Sequence, residues 1–297
     1  MVPSPHIRLR LVEFYITNVC NLTCQGCNRF NNYKFSGYQK WDDYKDIYTT
    51  WSQQINPSAI GILGGEPLLN PDYMQWLLGI RQLWPRSSIT TTTNGYQLNR
   101  VNGLYEFHLL NKKNTYLSIG IHNKKSKKLI LDNIKKFLVG PLEYKFNSDN
   151  VYQQYMIIKD SNQVSVKVEY NWWFHQGALI QNPESSKFTL HTSDVKKAHD
   201  ICHSKTCHHF MHGKLYKCGA VALFPEFAQQ HEIVLSPEDQ ALMLGYQPLQ
   251  VTDSLEVKKE FVKNLSNPIP QCRFCPEEYH GKQIFAEPKS QAKKELL

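Results

Sequence analysis

The chain has 297 residues, 41% of them hydrophobic, and 34 Lys and Arg against 26 Asp and Glu leave a formal charge of +8. That length suits one large domain or a domain with a small appendage, and the composition excludes a disordered or fibrous protein. No apolar run reaches the roughly 18–20 residues that cross a bilayer, and the N-terminal MVPSPHIRLR lacks the apolar core of a signal peptide. A cytoplasmic protein with no membrane partner is expected, and in that reducing compartment eight cysteines point to metal or catalytic chemistry rather than disulfides.

Residues 7–16 (IRLRLVEFYI) alternate and are rich in β-formers, which predicts a strand running into the first cysteine loop. Trp41, Tyr44, Ile47, Tyr48, Trp51 and Ile55 fall at helical spacing over 41–55. A short apolar strand over 59–63 ends at Gly64-Gly65, and 72–84 reads as a helix stopped by Pro85. Residues 88–93 form a β-branched strand ending at Asn94-Gly95. A helix over 97–110, a strand over 116–121 and a helix over 124–138 follow, the last closed by Gly140-Pro141. This alternation implies β/α units on a parallel sheet. Strand candidates at 152–159 and 164–170 would bring the count to six. The predicted fold class is therefore α/β, a partial (β/α)6 TIM-like barrel. Trp172, Trp173 and Phe174 read as packing at the end of the last strand. The boundary falls in the mixed, polar stretch before 190, giving a core over 1–190 and a Cys-rich lobe over 191–297. The lobe has few apolar runs, so a metal is expected to support its fold, and its Lys-rich tail, 289–297, is expected to fray.

Three thiolates at Cys20-x3-Cys24-x2-Cys27 can grip one face of a metal cluster and leave a fourth position vacant, as a cubane with one open iron requires. Structural zinc would want a fourth protein ligand, and the nearest histidines are His6 and His108. About 40 residues on, Gly64-Gly65-Glu66-Pro67 closes a strand, its glycines letting backbone approach a ligand. With both motifs inside a β/α alternation, the chain resembles the radical S-adenosylmethionine (radical SAM) superfamily over roughly residues 7–170. The resemblance implies a [4Fe–4S] cluster on Cys20, Cys24 and Cys27. It implies S-adenosylmethionine (SAM) held by Gly64, Gly65, Glu66 and Pro67, with the backbone and Glu66 on its amino group, and by Asn94. Relatives carry an aromatic residue before the third cysteine, near the adenine; this chain has Gly26 there, with Phe30 as a substitute. The implied reaction passes one electron to the SAM sulfonium, and the resulting 5′-deoxyadenosyl radical takes hydrogen from the substrate. A one-electron donor such as flavodoxin or ferredoxin is implied as a partner. Barrels place such a site at the C-terminal mouth of the strands, which nominates His122, Asn123 and Lys124 as substrate contacts, together with Asn18 and Asn94.

The last third carries Cys202-x4-Cys207-x10-Cys218 and Cys272-x2-Cys275, with Gly213 ahead of Lys214–Cys218. This resembles the C-terminal extension called SPASM or, when shortened, twitch, which holds auxiliary [4Fe–4S] clusters. The resemblance implies a second [4Fe–4S] cluster on four of Cys202, Cys207, Cys218, Cys272 and Cys275, with Cys202 and Cys207 competing for one place. His203, His208, His209 and His212 crowd the same stretch and keep a Cys/His zinc ribbon open as an alternative. Between Lys112 and Lys136, eight lysines stand against one acid, Asp132, which reads either as a solvated helix face or as the contact for an anionic substrate. The expected function is a radical SAM enzyme, of oxidoreductase or isomerase type, taking hydrogen from a small molecule. Sugars, nucleosides and anionic metabolites are the candidate substrates, with the auxiliary cluster accepting an electron or aiding binding. A SPASM-type peptide or protein maturase and a nucleic-acid-modifying enzyme are the alternatives. Only six residues precede the first strand, so no leader-peptide-binding domain is expected ahead of the barrel.

Overall fold

The computed structural model describes residues 7–24, 27–31, 35–148, 154–170, 190–278 and 286–288; Gly26, Trp172, Trp173, Phe174 and the tail from 289 lie outside them. Strand β1 (Ile7–Tyr15) leads into the cysteine loop, which carries the short β2 (Leu22–Cys24). There follow α1 (Trp41–Ser52), β3 (Ile55–Leu63), α2 (Tyr73–Leu83), β4 (Ser88–Thr93), α3 (Leu104–Leu110), β5 (Thr115–Ile121) and α4 (Lys127–Phe137), the expected alternation. The chain continues through β6 (Glu143–Ser148), β7 (Gln154–Lys159) and β8 (Ser165–Tyr170). Beyond them lie α5 (Val195–Asp200), β9 (Cys207–Met211), β10 (Lys214–Tyr216), α6 (Gly219–Gln230), α7 (Pro237–Leu244), α8 (Leu255–Asn264) and β11 (Ala286–Pro288).

One mixed sheet holds nine of these strands in the order β10-β9-β1-β3-β4-β5-β8-β7-β6. Its six central strands, β9 through β8, run parallel; β10 pairs antiparallel with β9 at one edge, and β7 and β6 extend the other side through successive antiparallel pairings. Two features differ from the expected six consecutive β/α units. The strands expected at 152–159 and 164–170 form a hairpin, and only β8 joins β5. The turn between them leaves no room for a helical crossover, which takes a dozen or more residues. Asp160 ties that turn: Oδ1 accepts the N–H groups of Asn162 and Val164, and Oδ2 accepts Tyr105 Oη and the Val139 N–H. The sixth parallel strand is instead β9, from the segment beyond 190, with Glu13 registered against His209. The expected core and lobe therefore share a sheet.

The outer face of the sheet forms the main core against the helices. Phe14 of β1 packs against Tyr48, Trp76, Trp84 and Phe210, with ring centroids 5.0–6.3 Å apart. A second apolar cluster, unexpected in a region read as poor in apolar runs, joins Phe30 and Phe35 of the cysteine loop to Leu223, Phe224 and Phe227 of α6. Phe30 stacks on Phe227 at 4.3 Å, so it packs into this core. The apolar run AVALF was legible as a buried helix, and it anchors the segment through ordinary hydrophobic burial. Strand β11 pairs with β2, returning the chain end to the cysteine loop. No helix among the described residues is long and apolar enough to cross a membrane.

Helices α1 and α2 meet where the Trp41 ring lies on Gly79; a β-carbon there would stand 2.1 Å from the indole. Gly79→Ala should lower stability by about 1–3 kcal/mol through overpacking, although alanine is the better helix former. A urea denaturation midpoint at or above wild type would show that the indole is free to move aside.

Candidate active site

The concave face of the sheet is polar. Thr90 and Thr92 of β4, Ser118 and Gly120 of β5, and Lys167 and Glu169 of β8 occupy positions that a closed barrel fills with branched apolar side chains, and their small or polar groups leave a hollow. Its upper part, at the C-terminal ends of the strands, is a cavity of about 220 Å³. Cys20, Cys24 and Cys27 line that cavity together with Gly64, Gly65 and Glu66. The structure thus brings the two N-terminal motifs to one site.

Their spacing is set by backbone contact. Gly65 N–H donates to Thr17 O at 2.7 Å and Glu66 N–H to Val19 O at 2.8 Å. A β-carbon on Gly64 would lie 2.5 Å from Thr17 O, and one on Gly65 would lie 2.4 Å from Val19 O. Only glycine permits this approach of the β3 end to the base of the cysteine loop. Glu66 is 1% exposed. Its Oε1 accepts Thr93 Oγ1 at 2.5 Å and Leu68 N–H at 3.2 Å, and its Oε2 accepts Asn94 N–H at 2.7 Å. Burial pushes its carboxyl up to about 7 despite these donors. Asn94 Nδ2 donates to Asn21 Oδ1 at 2.7 Å, which links β4 to the cysteine loop. Pro67 opens a buried turn behind Glu66.

The thiols themselves suit a metal cluster. Burial raises the Cys20 thiol well above its ordinary value, and Glu66, Cys27 and Cys24 add to the rise. A cluster that accepts three thiolates removes that cost, so metal uptake releases protons. Cys27 Sγ also reaches Asn31 Oδ1 at 3.6 Å.

Of the nominated substrate residues, His122 lines the cavity. Asn123 is 6% exposed, and its Oδ1 accepts Lys125 N–H at 2.8 Å, so it shapes the turn after β5. Lys124 lies in that turn, and Asn18 donates from Nδ2 to Ser36 O and Glu226 Oε1 at 2.9 Å each. Sequence reading missed Glu13, Arg29 and Glu169, which also line the cavity. The available signal was a lone acid inside the apolar β1 pattern, since a charge inside a half-buried strand needs a partner. Glu13 Oε2 is 3.1 Å from the Arg29 guanidinium and 3.0 Å from His209 Nε2. Burial alone would raise the Glu13 carboxyl, but the hydrogen bond from His209 and the charges of His209 and Arg29 outweigh it and hold the carboxyl at about 2.

Arg29 also lines a second, smaller cavity with Cys202, Cys218, Cys275 and His209. Cys272 belongs to the same group: Cys202, Cys218 and Cys272 each raise the Cys275 thiol, after burial as the main cause. Cys218 precedes α6, and burial pushes its thiol up to about 11 while the N–H groups of Val221 and Ala220 pull the other way. Cys207 is within reach of Glu13 and His209, and Glu13 and Cys218 add to the rise of its thiol after burial as the main cause. Three of the histidines, His208, His209 and His212, have other partners. His208 Nδ1 meets Lys217 O at 2.9 Å, and His212 meets Tyr44 Oη at 2.8 Å and Glu226 at 3.1 Å. The Glu13, Cys207 and His209 donors lie within 4.8 Å of one another, but Arg29 already supplies a cation to that carboxylate.

Glu13 gives a pH test. A depressed carboxyl stabilises the fold above its unfolded value of 4.5, and the contribution is lost as pH falls through about 2. Wild type should exceed Glu13→Gln by about 2–3 kcal/mol in urea denaturation near neutral pH, narrowing toward zero as pH approaches 2. A difference independent of pH would mean that the charge of Glu13 is not what the network holds.

Residues 9–132 match the family described as "4Fe-4S single cluster domain". A GTP 3′,8-cyclase from Klebsiella pneumoniae subsp. pneumoniae is 31% identical over 90 residues, which are 29% of this chain and 27% of that protein. The chain thus aligns with little more than a quarter of that relative's length. Streptococcus suis SuiB bound to S-adenosylmethionine shares 21% identity over 43% of this chain and 30% of its own, with a TM-score of 0.34. BtrN in complex with AdoMet and 2-DOIA shares 13% identity over 92% of this chain and 98% of its own, with a TM-score of 0.47. The cluster-domain match spans both the cysteine triad and the glycine motif that the fold seats around one cavity, and with the cyclase match it supports the resemblance to the radical SAM superfamily.

Proposed function

We propose that the protein is a radical SAM enzyme that takes hydrogen from a small molecule held on the concave face of the sheet. One observation carries this reading: the triad thiols open into the same cavity as Glu13, Arg29, Ser118, His122 and Glu169. Cys20, Cys24 and Cys27 hold the cluster, and the Gly64–Pro67 turn with Asn94 forms the adjoining SAM seat. When bound, these cofactors supply a one-electron cleavage of the sulfonium that leaves a carbon radical to abstract hydrogen. The chain positions and shields. Glu66 holds the ends of β3 and β4 at a fixed separation, and the α6 core presses Phe30 and Phe35 of the cysteine loop inward. Glu13 and Glu169 present carboxylates, and Ser118 and His122 add donors, to a substrate rich in hydroxyl or amino groups.

Cys202, Cys218, Cys272 and Cys275 hold a second [4Fe–4S] cluster in this reading, and Cys207 is the spare. The donor set gathered there is sulfur, and the buried Lys217, beside Cys218, adds positive charge that favours an anionic all-sulfur cluster. Such a cluster would suit a two-electron oxidation: the substrate would lose a hydrogen atom to the radical, then one electron to the cluster and a proton to solvent, while a flavodoxin- or ferredoxin-type donor would supply the separate electron that cleaves SAM. The lysines of α4 give no second reading: Lys127, Lys128, Lys135 and Lys136 lie on its exposed side, and Lys128 pairs with Asp132 at 2.7 Å.

Anaerobically reconstituted protein with a reductant should convert SAM to 5′-deoxyadenosine, and Cys24→Ala should abolish it; turnover surviving in that variant would remove the triad from the chemistry. Bound iron should approach ~8 per chain, stay near ~8 in Cys207→Ser and fall toward ~4 in Cys202→Ser. An unchanged count in Cys202→Ser, or zinc in place of the second set of irons, would refute the auxiliary assignment.

A further inference from the structure

Below the catalytic cavity, the concave face opens into a larger hollow of about 670 Å³ at the N-terminal ends of β4, β5 and β8. Four lysines line it: Lys112 and Lys113 from the turn before β5, Lys159 from the end of β7, and Lys167 from β8. Among the described residues, no carboxylate lines it. Thr90, Ser118 and Ser165 add hydroxyl groups. Ser118 also lines the upper cavity, so the two hollows meet there.

The commitments of the four lysines differ. Lys167 pairs with Glu169, whose carboxylate faces the upper cavity, and its ammonium lies 4.7 Å from the centre of the Tyr155 ring. Lys112 donates to Asn162 O at 2.9 Å. Among the described residues, Lys113 and Lys159 form no ion pair, and Glu143, registered opposite Lys159 on the edge strand, does not come within ion-pair reach. Four ammonium groups lining one concavity, three of them without a carboxylate partner among the described residues, are repulsive among themselves, and low-dielectric walls concentrate their field. The lysines of α4 form a contrasting set, on a convex helix surface with Asp132 among them.

We propose that this lower hollow is a binding site for a phosphate-bearing small ligand. Ammonium groups act on phosphate as point charges from several directions, and serine and threonine hydroxyls complete the oxygen shell. Carboxylate ligands carry less charge per group, and four ammonium groups around one hollow suit a compact polyanion, whereas a nucleic-acid strand is followed by a long groove. The site is independent of SAM cleavage, so it stands or falls separately from the proposed reaction.

The test is calorimetric titration of the reconstituted protein with tripolyphosphate, with ATP as the organic arm and a single-stranded oligonucleotide as the extended polyanion. Tripolyphosphate should saturate one site per chain. Lys113→Glu/Lys159→Glu should weaken it by ~10-fold or more, Lys113→Gln/Lys159→Gln by an intermediate factor, and Lys135→Glu/Lys136→Glu on α4 by less than ~2-fold. Tighter binding of ATP than of tripolyphosphate identifies an organic phosphate as the occupant, and the reverse order an inorganic one. Both target side chains are on the surface of the hollow, so the variants should keep the wild-type melting temperature and 5′-deoxyadenosine yield. The proposal is overturned by absent saturation, by equal losses in the α4 variant, or by oligonucleotide affinity that exceeds that of tripolyphosphate and grows with length.

Discussion

The buried carboxylate of Glu66 is the constraint on which the site depends. It gathers a hydroxyl from Thr93 and main-chain N–H groups from Leu68 and Asn94, joining the C-terminal ends of β3 and β4. Through Asn94 and Asn21 the same network reaches the cysteine loop, and the backbone of Gly65 and Glu66 lies directly on Thr17 and Val19. The separation between thiols and glycine turn is therefore determined before any ligand arrives. A loop held at both its base and its flank loses little entropy on binding, which is how such a site is preorganised.

Around that anchor the sheet divides its two faces by chemistry. The outer face carries Phe14 and its aromatic neighbours under the helices and supplies most of the apolar burial. The concave face carries threonine, serine, glycine, lysine and glutamate, which would be poor core residues and instead leave space. Stability is drawn from one side of each strand and a reaction chamber from the other. Period-two alternation makes that division possible without cost to either.

Arg29 ties the two thiol-lined cavities together. It lines both, and its ion pair with Glu13 continues to His209 on β9, directly behind the second set of cysteines. Because β9 adds to the main sheet beside β1, the C-terminal segment is not a loosely tethered appendage. The α6 core on Phe30 and Phe35 and the pairing of β11 with β2 reinforce the same attachment. Both proposed clusters are thus referenced to a single rigid element, β1.

Local spacing carried much of this protein on its own. The β/α alternation, the cysteine triad and the Gly64–Pro67 turn each depend on residues close in the chain, where periodicity and glycine chemistry act directly. The hairpin of β7 and β8 was foreshadowed by Ser161-Asn162, yet its direction depended on Asp160 bonding to Tyr105 and Val139, distant in sequence. The partners of His208, His209 and His212 and the pairing of Glu13 with Arg29 and His209 depend on β9 docking against β1. Strand alternation tells which side chains share a face, but not which neighbour that face will meet; only the folded sheet brings residue 13 beside residue 209.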